Sequence, residues 1–261
     1  MTLKELMQLL ESRFPLDQAE RWDNSGLQTG RKNKEIRRVY IALDATAEVI
    51  ARAVSWKADL LLTHHPLTLD GVKNVTAESL IGGKFYTLIQ NDICSYAMHT
   101  NYDALEMAPL AGSMMKLQKP EILELTGVDD KGEGIGFGRV GALVRPVTLL
   151  ECAELVKTIF HLGHVKIFGD IEQVIQRVAI SPGSGKSLIP AAIRKRAEVL
   201  ITGDIGHHDG LDAVDSNLAV IDAGHYGLEH IFIAQMEAFL KKEGKNLEIC
   251  TDEIKSPFEI V

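Results

Sequence analysis

Shifted by 139 residues, this chain matches itself. Arg37–His65 (RRVYIALDATAEVIARAVSWKADLLLTHH) lies over Gln176–Asp204 (QRVAISPGSGKSLIPAAIRKRAEVLITGD), with eight of 29 positions identical and like-for-like exchanges through most of the apolar runs. Further on, ICSYAMHTNYDALE resembles LAVIDAGHYGLEH at a slightly shorter offset. Apolar runs such as RRVYIAL, ADLLLTHH and ICSYAMH alternate with helix-like segments, the βαβ rhythm of a mostly parallel sheet. The expected fold class is therefore α/β, with two similar α/β domains from an internal duplication and mostly parallel mixed sheets. Residues 1–125 form the expected first domain and 126–229 the second, with the terminal segment 230–261 free to return to the first. Glu121–Gly138, rich in glycine and acid, reads as a loop or linker between them. Thr148 is placed to cap a helix running through Glu151–Phe160.

The repeat matters because ligands in open α/β sheets bind beyond the carboxyl ends of the strands. The run LLTHHP puts His64 and His65 at such an end. Adjacent side chains on a strand point to opposite faces. Where the backbone turns, two neighbouring histidines can instead reach two different atoms. In the second copy the matching tripeptide is TGD, ending at Asp204. Two further strand ends carry a histidine and a carboxylate at i, i+4: His99 with Asp103, and His225 with Glu229. That spacing brings both side chains to one helix face. Mixed imidazole and carboxylate donors suit zinc, iron, manganese, nickel or cobalt. A carboxylate such as Glu229 can bridge two ions about 3.5–4 Å apart.

Other residues draw attention for weaker reasons. SPGSGKS, residues 181–187, looks like a phosphate loop, but that pattern needs glycine at 180 and the chain has Ile180. A plain glycine-rich turn is the better reading. TGDIGHH offers Asp204, His207 and His208, either as outer groups and substrate contacts of the same site or as polar loop residues. His161 and His164 flank a turn and read as structural, and His230 points away from Glu229 on its helix.

Composition narrows the class. The 261-residue chain is 46% hydrophobic and 25% charged, ordinary values for a globular protein. A net charge of −8 without a concentrated basic stretch argues against a nucleic-acid footprint. Cys94, Cys152 and Cys250 are few, odd in number and far apart, which fits buried thiols in a reducing compartment better than a disulfide framework. The opening MTLKELMQLLESRF alternates charge with leucine and reads as neither signal peptide nor membrane span. The expected location is cytoplasmic, with no membrane association.

The motifs WDNSGLQ (22–28), LLTHHPL (61–67), HTNYD (99–103), GFGRVG (136–141), GSGKS (183–187), ITGDIGHHD (201–209), DAGHYGLE (222–229) and SPF (256–258) run in order along the chain. In these the sequence resembles the Nif-three-like family of dinuclear-metal-centre proteins, GTP cyclohydrolase I type 2 homologues. The resemblance implies two similar α/β domains, a toroidal homohexamer and two divalent metal ions per chain. Its metal ligands fall by motif on His64, His65, Asp103, His225 and Glu229, the residues the spacing selects. His99 matches a histidine close to the metals. The implied activity is a metal-dependent hydrolase acting on a small, nucleotide-type molecule, with His99 or His208 moving the proton. A non-enzymatic metal-binding or regulatory scaffold is the alternative. HTNYD departs from the family in carrying Tyr102 where a smaller aliphatic residue is common, and the short link between the halves leaves no room for an inserted domain.

Overall fold

The computed structural model describes residues 1–129 and 131–260. In chain order the strands are β1 (Gly26–Thr29), β2 (Arg38–Ala42), β3 (Leu60–Thr63), β4 (Cys94–Ala97), β5 (Gln118–Val128), β6 (Gly134–Thr148), β7 (Lys166–Phe168), β8 (Val174–Ser184), β9 (Val199–Gly203), β10 (Ala219–Asp222) and β11 (Glu248–Thr251). The chain packs as two compact units. One comprises Met1–Tyr102 with Phe232–Lys255; the other comprises Asp103–Ile231 with the segment from Ser256.

The first unit is built on a sheet of order β1-β4-β3-β2-β11. Strands β2, β3 and β4 run parallel, β11 joins β2 in parallel, and β1 is antiparallel to β4. All four residues of β3 and of β4 are buried, as parallel strands covered on both faces require. The helix Leu3–Arg13 buries Leu3, Leu6, Met7 and Leu10, a stripe at helical spacing. Its start is fixed by a capping box between Thr2 and Glu5. Val49, Ile50 and Ala53 of helix Ala47–Ser55 pack with Leu61, Leu88 and Ile93 in the core. The outer strand β11 is held by side chains as well as by the ladder. Arg52 grips the Asp252 carboxylate at 2.9 and 3.0 Å, and the Tyr40 hydroxyl donates to it at 2.8 Å.

The second unit has the order β5-β6-β8-β9-β10-β7. Its centre, β8-β9-β10, is parallel and the flanking pairings are antiparallel. Thr148 caps the helix Leu149–Ile159 through a second capping box, with Glu151. Val140, Ala179, Ala192, Leu200 and Val220 lie in its core.

The repeat is visible in the hydrogen-bond register. Val39 faces Leu60 and Ala42 faces Thr63 in the first unit; Val178 faces Val199 and Ile180 faces Ile201 in the second. In each copy of the repeat a carboxylate just before the later strand, β3 or β9, accepts two backbone amides at the start of its parallel neighbour, in or next to β2 or β8. Asp59 Oδ2 takes Arg37 N and Arg38 N, both at 2.9 Å. Glu198 Oε2 takes Gln176 N and Arg177 N at 2.6 and 2.7 Å. Lys57 and Arg196, just before these acids, both have positive φ, 59° and 55°.

Two expectations change. Glu121–Gly138 is not a linker: β5 and β6 pair antiparallel, Glu121 facing Val140 and Val128 facing Gly134, and Asp130 lies outside the described residues. Its glycines serve close strand approach, since a Cβ on Gly136 would overlap the Glu124 carbonyl oxygen. A boundary near residue 125 therefore falls inside β5, and the chain passes from the first unit to the second between Tyr102 and Asp103.

Candidate metal centre

In the first unit the candidate donors sit where the parallel strands end. β3 stops at Thr63, whose hydroxyl donates to the His65 carbonyl at 2.7 Å and shapes the turn. His64 follows, fully buried, with Nδ1 2.7 Å from the Met98 carbonyl oxygen. That oxygen can only accept, so Nδ1 carries the hydrogen and Nε2 presents its lone pair. His65 Nδ1 lies 2.8 Å from Asp44 Oδ1, and His99 Nδ1 lies 2.7 Å from Asp23 Oδ1. The same reasoning leaves both Nε2 atoms as lone-pair donors. One ligand atom from each of His64, His65 and His99 lies within 4.8 Å of the others. Three imidazoles with their outer nitrogens tied to a carbonyl and two carboxylates form a donor set suited to a divalent transition metal.

Asp23 is the most heavily bonded of these supports. Its side chain is fully buried in the turn before β1. Oδ1 also accepts Asn24 N at 2.7 Å. Oδ2 accepts the Ser25 hydroxyl at 2.7 Å, Thr100 N at 3.1 Å and the Thr100 hydroxyl at 2.6 Å. Burial by itself would raise its pKa. Hydrogen bonds from His99, Thr100 and Ser25 outweigh that and hold the carboxyl well below the usual range.

In the second unit β9 ends at Gly203 and β10 at Asp222. Asp222 braces both exits: Oδ2 accepts Ile205 N at 3.1 Å and meets Lys166 Nζ at 2.8 Å, while Oδ1 accepts Gly224 N at 3.1 Å. Gly224, at φ 76°, turns the chain into the helix His225–Glu229. On that helix the i, i+4 spacing acts as expected: His225 Nε2 is 3.0 Å from Glu229 Oε2. His225 Nδ1 is 2.7 Å from Asp204 Oδ2. A neutral imidazole can donate to only one of two flanking carboxylates, so a cation fits between Nε2 and Glu229, either a ring proton or a metal ion. The SPGSGKS segment supplies the wall behind this pair rather than a phosphate cradle. Gly183, at φ 78°, lies so close that a Cβ would overlap the Glu229 carboxylate. Lys186 is engaged with Asp209 at 3.0 Å.

Asp103 follows the short helix Thr100–Tyr102 as the first residue of a π-helical turn, Asp103–Met107. Such turns recur at functional sites. His208 lies exposed at the start of helix His207–Asp215, its ring 5.1 Å from that of His207, and belongs to no candidate metal-donor group among the described residues. His230 is structural: its Nε2 meets the Phe160 carbonyl at 2.9 Å. Sequence reasoning passed over Asp23 and Asp44. Asp44, just beyond the end of β2, carried the same strand-end signal as the histidines. Asp23 stood in WDNSGLQ without any spacing to mark it.

A family model described as Duf34/NIF3 (NGG1p interacting factor 3) matches residues 1–257. The chain belongs to the Duf34/NIF3 family. Two relatives named GTP cyclohydrolase 1 type 2 homolog are similar over nearly their whole length. One, from Clostridium perfringens, is 33% identical and fully covered in both chains; one from Streptococcus pneumoniae is 34% identical over 95% of this chain and 94% of its own. A solved structure described as a Staphylococcus aureus hypothetical protein superposes with a TM-score of 0.90 at 28% identity, covering 100% of this chain and 99% of that one.

Proposed function

We propose that this protein is a hydrolase that uses two divalent metal ions held by His64, His65, Asp103, His225 and Glu229, with Glu229 as the bridge. The observation that carries this reading is the common state of four histidines. Each of His64, His65, His99 and His225 has Nδ1 committed to an oxygen acceptor, which aims its other nitrogen away from the support. The chemistry of zinc, iron, manganese, nickel or cobalt fits that donor set. When bound, such a pair supplies Lewis acidity that makes water acidic near neutral pH and polarises the bond under attack.

The chain's own residues do the rest. His99 is the nearer proton carrier, its ring held by Asp23 beside His64 and His65. His208, on an exposed turn, is a second imidazole able to exchange protons with solvent. The names of the relatives direct attention to GTP. Two hydrolyses are needed there: one water adds at C8 of guanine and opens the imidazole ring to a formamide, and a second cleaves the formamide C–N bond, frees the amine and releases C8 as formate. We further propose that the chains assemble as a toroidal hexamer, a ring that keeps bulk water and competing ligands from the metals. Light scattering that gave a monomer would contradict the assembly and leave the hydrolase reading standing.

The deciding experiment is metal analysis of protein purified without added metal, followed by a screen of GTP and related purine nucleotides for formate release. Turnover that disappears on chelation supports the hydrolase. Bound metal that transfers to an acceptor, with no turnover across the screen, supports a metal-binding scaffold instead.

A further inference from the structure

The WDNS turn does more than connect a helix to a strand. We infer that Asp23 is a positioning residue of the metal centre, acting through His99, whose Nε2 it keeps as a lone pair directed at the donors of His64 and His65. This rests on the metal-binding reading above and extends it to a residue outside the expected ligand set.

The geometry separates two tasks on one carboxylate. Oδ2 builds the turn: it takes the Ser25 hydroxyl and both the amide and hydroxyl of Thr100. Oδ1 faces His99 Nδ1 at 2.7 Å while the Asn24 amide holds it from the other side. With donors on both oxygens and no exposed surface, the carboxylate cannot rotate away. A His99 ring carrying its hydrogen on Nε2 would set the Nδ1 lone pair against that oxygen, a repulsive contact. The tautomer with hydrogen on Nδ1 is therefore enforced, and Nε2 is left as a Lewis base. The backbone adds a second hold, since His99 N donates to the Ser25 hydroxyl at 3.2 Å. Among the described partners of Asp23, His99 is the one able to carry a positive charge. This is the carboxylate–histidine arrangement that orients metal-site imidazoles, where loss of the carboxylate typically costs about 10–100-fold in metal affinity.

The test uses the full chain with 15N-labelled histidine. Long-range proton–nitrogen spectra of the metal-free protein, recorded with the rings neutral, should show His99 as the Nδ1–H tautomer. Finding the Nε2–H tautomer in the unaltered protein overturns the inference, whatever any variant does. In Asp23→Asn the amide cannot accept all five bonds, so His99 should become a mixture of tautomers. Zinc affinity, measured by competition with a chromophoric chelator, should fall by about 10–100-fold. Thr100→Val is the control, because it removes one turn-building bond and leaves the Oδ1–His99 contact. It should lower thermal stability and keep both tautomer and zinc affinity. If Asp23→Asn behaves like Thr100→Val, with stability lost and tautomer and affinity kept, Asp23 is only a turn former and the inference fails. If the unaltered protein takes up no zinc or other divalent transition metal, the metal-binding reading fails, while the tautomer spectra still report on Asp23.

Discussion

Gly183 and Gly203 show how much of the second unit's donor pair depends on missing side chains. Gly183 has a left-handed backbone and backs directly onto the Glu229 carboxylate, while a Cβ on Gly203 would overlap the backbone of His225. Replacing Gly183 by alanine both strains φ and displaces Glu229. We expect a loss of about 1–3 kcal/mol in stability together with weaker metal binding, measured by thermal unfolding and metal titration. Unchanged metal affinity would mean that Glu229 has room the structure denies it. The thiols make a second residue-scale prediction. Burial pushes the Cys152 thiol up to about 12 and also raises Cys94, both buried; burial raises Cys250 as well, but that residue is only half-buried. With thiolate the reactive form, a disulfide-exchange reagent at mildly alkaline pH should modify Cys250 first and reach Cys152 only as fast as the protein unfolds. Rapid native labelling of Cys152 would contradict its placement.

Among the elements, the paired carboxylates Asp59 and Glu198 are the clearest legacy of the repeat. Each ties two amides at the entry to a parallel pair, so Asp59→Ala and Glu198→Ala should each cost about 1–3 kcal/mol, with similar values in denaturant unfolding. A large cost at one and none at the other would show that the two units are not stabilised alike. The repeat was legible in the sequence because parallel strands buried on both faces must keep their apolar runs, and the register preserves those runs residue for residue. The strand-end histidines were legible for a related reason: polar residues directly after a buried strand stand out. The hairpin of β5 and β6 was not legible, since glycine and acid normally mark loops, whereas here glycine lets two strands approach and an acid can lie on an exposed strand face. Glu121 illustrates the second point, an exposed strand residue paired with Arg177 at 3.2 Å and Lys195 at 3.3 Å. Asp23 escaped notice because its partner lies 76 residues away, and no local pattern reports such a contact.

For the whole molecule, binding of metal to the folded chain alone must shift the unfolding equilibrium. At free metal about 100 times its dissociation constant the gain is about 2.7 kcal/mol for a single site. Chelation should lower the melting temperature and restored metal should recover it. Glu229→Ala, as the proposed bridge, should lose more than one equivalent of metal and most of that metal-dependent rise. A variant that kept two ions per chain would remove Glu229 from the bridging role. The two effects are separable, because Glu229 lies on a short helix whose fold is also supported by Asp222 and Gly224.

The two copies of the repeat have also diverged in a way that constrains their history. Where the first has His64, the second has Gly203; where the first has Asp44, the second has Gly183. Neither exchange is neutral to the other residues around it. A tandem of two unaltered first copies would place an imidazole against the backbone that now bears His225, and a carboxylate in the space that Glu229 fills. The aligned pair of the first copy, His99 and Asp103, coexists with both His64 and Asp44, so the two exchanges mark where the copies have come to pack their strand ends differently. In the descent of this chain the histidine and carboxylate of that turn were kept in both copies, while the strand ends behind them diverged.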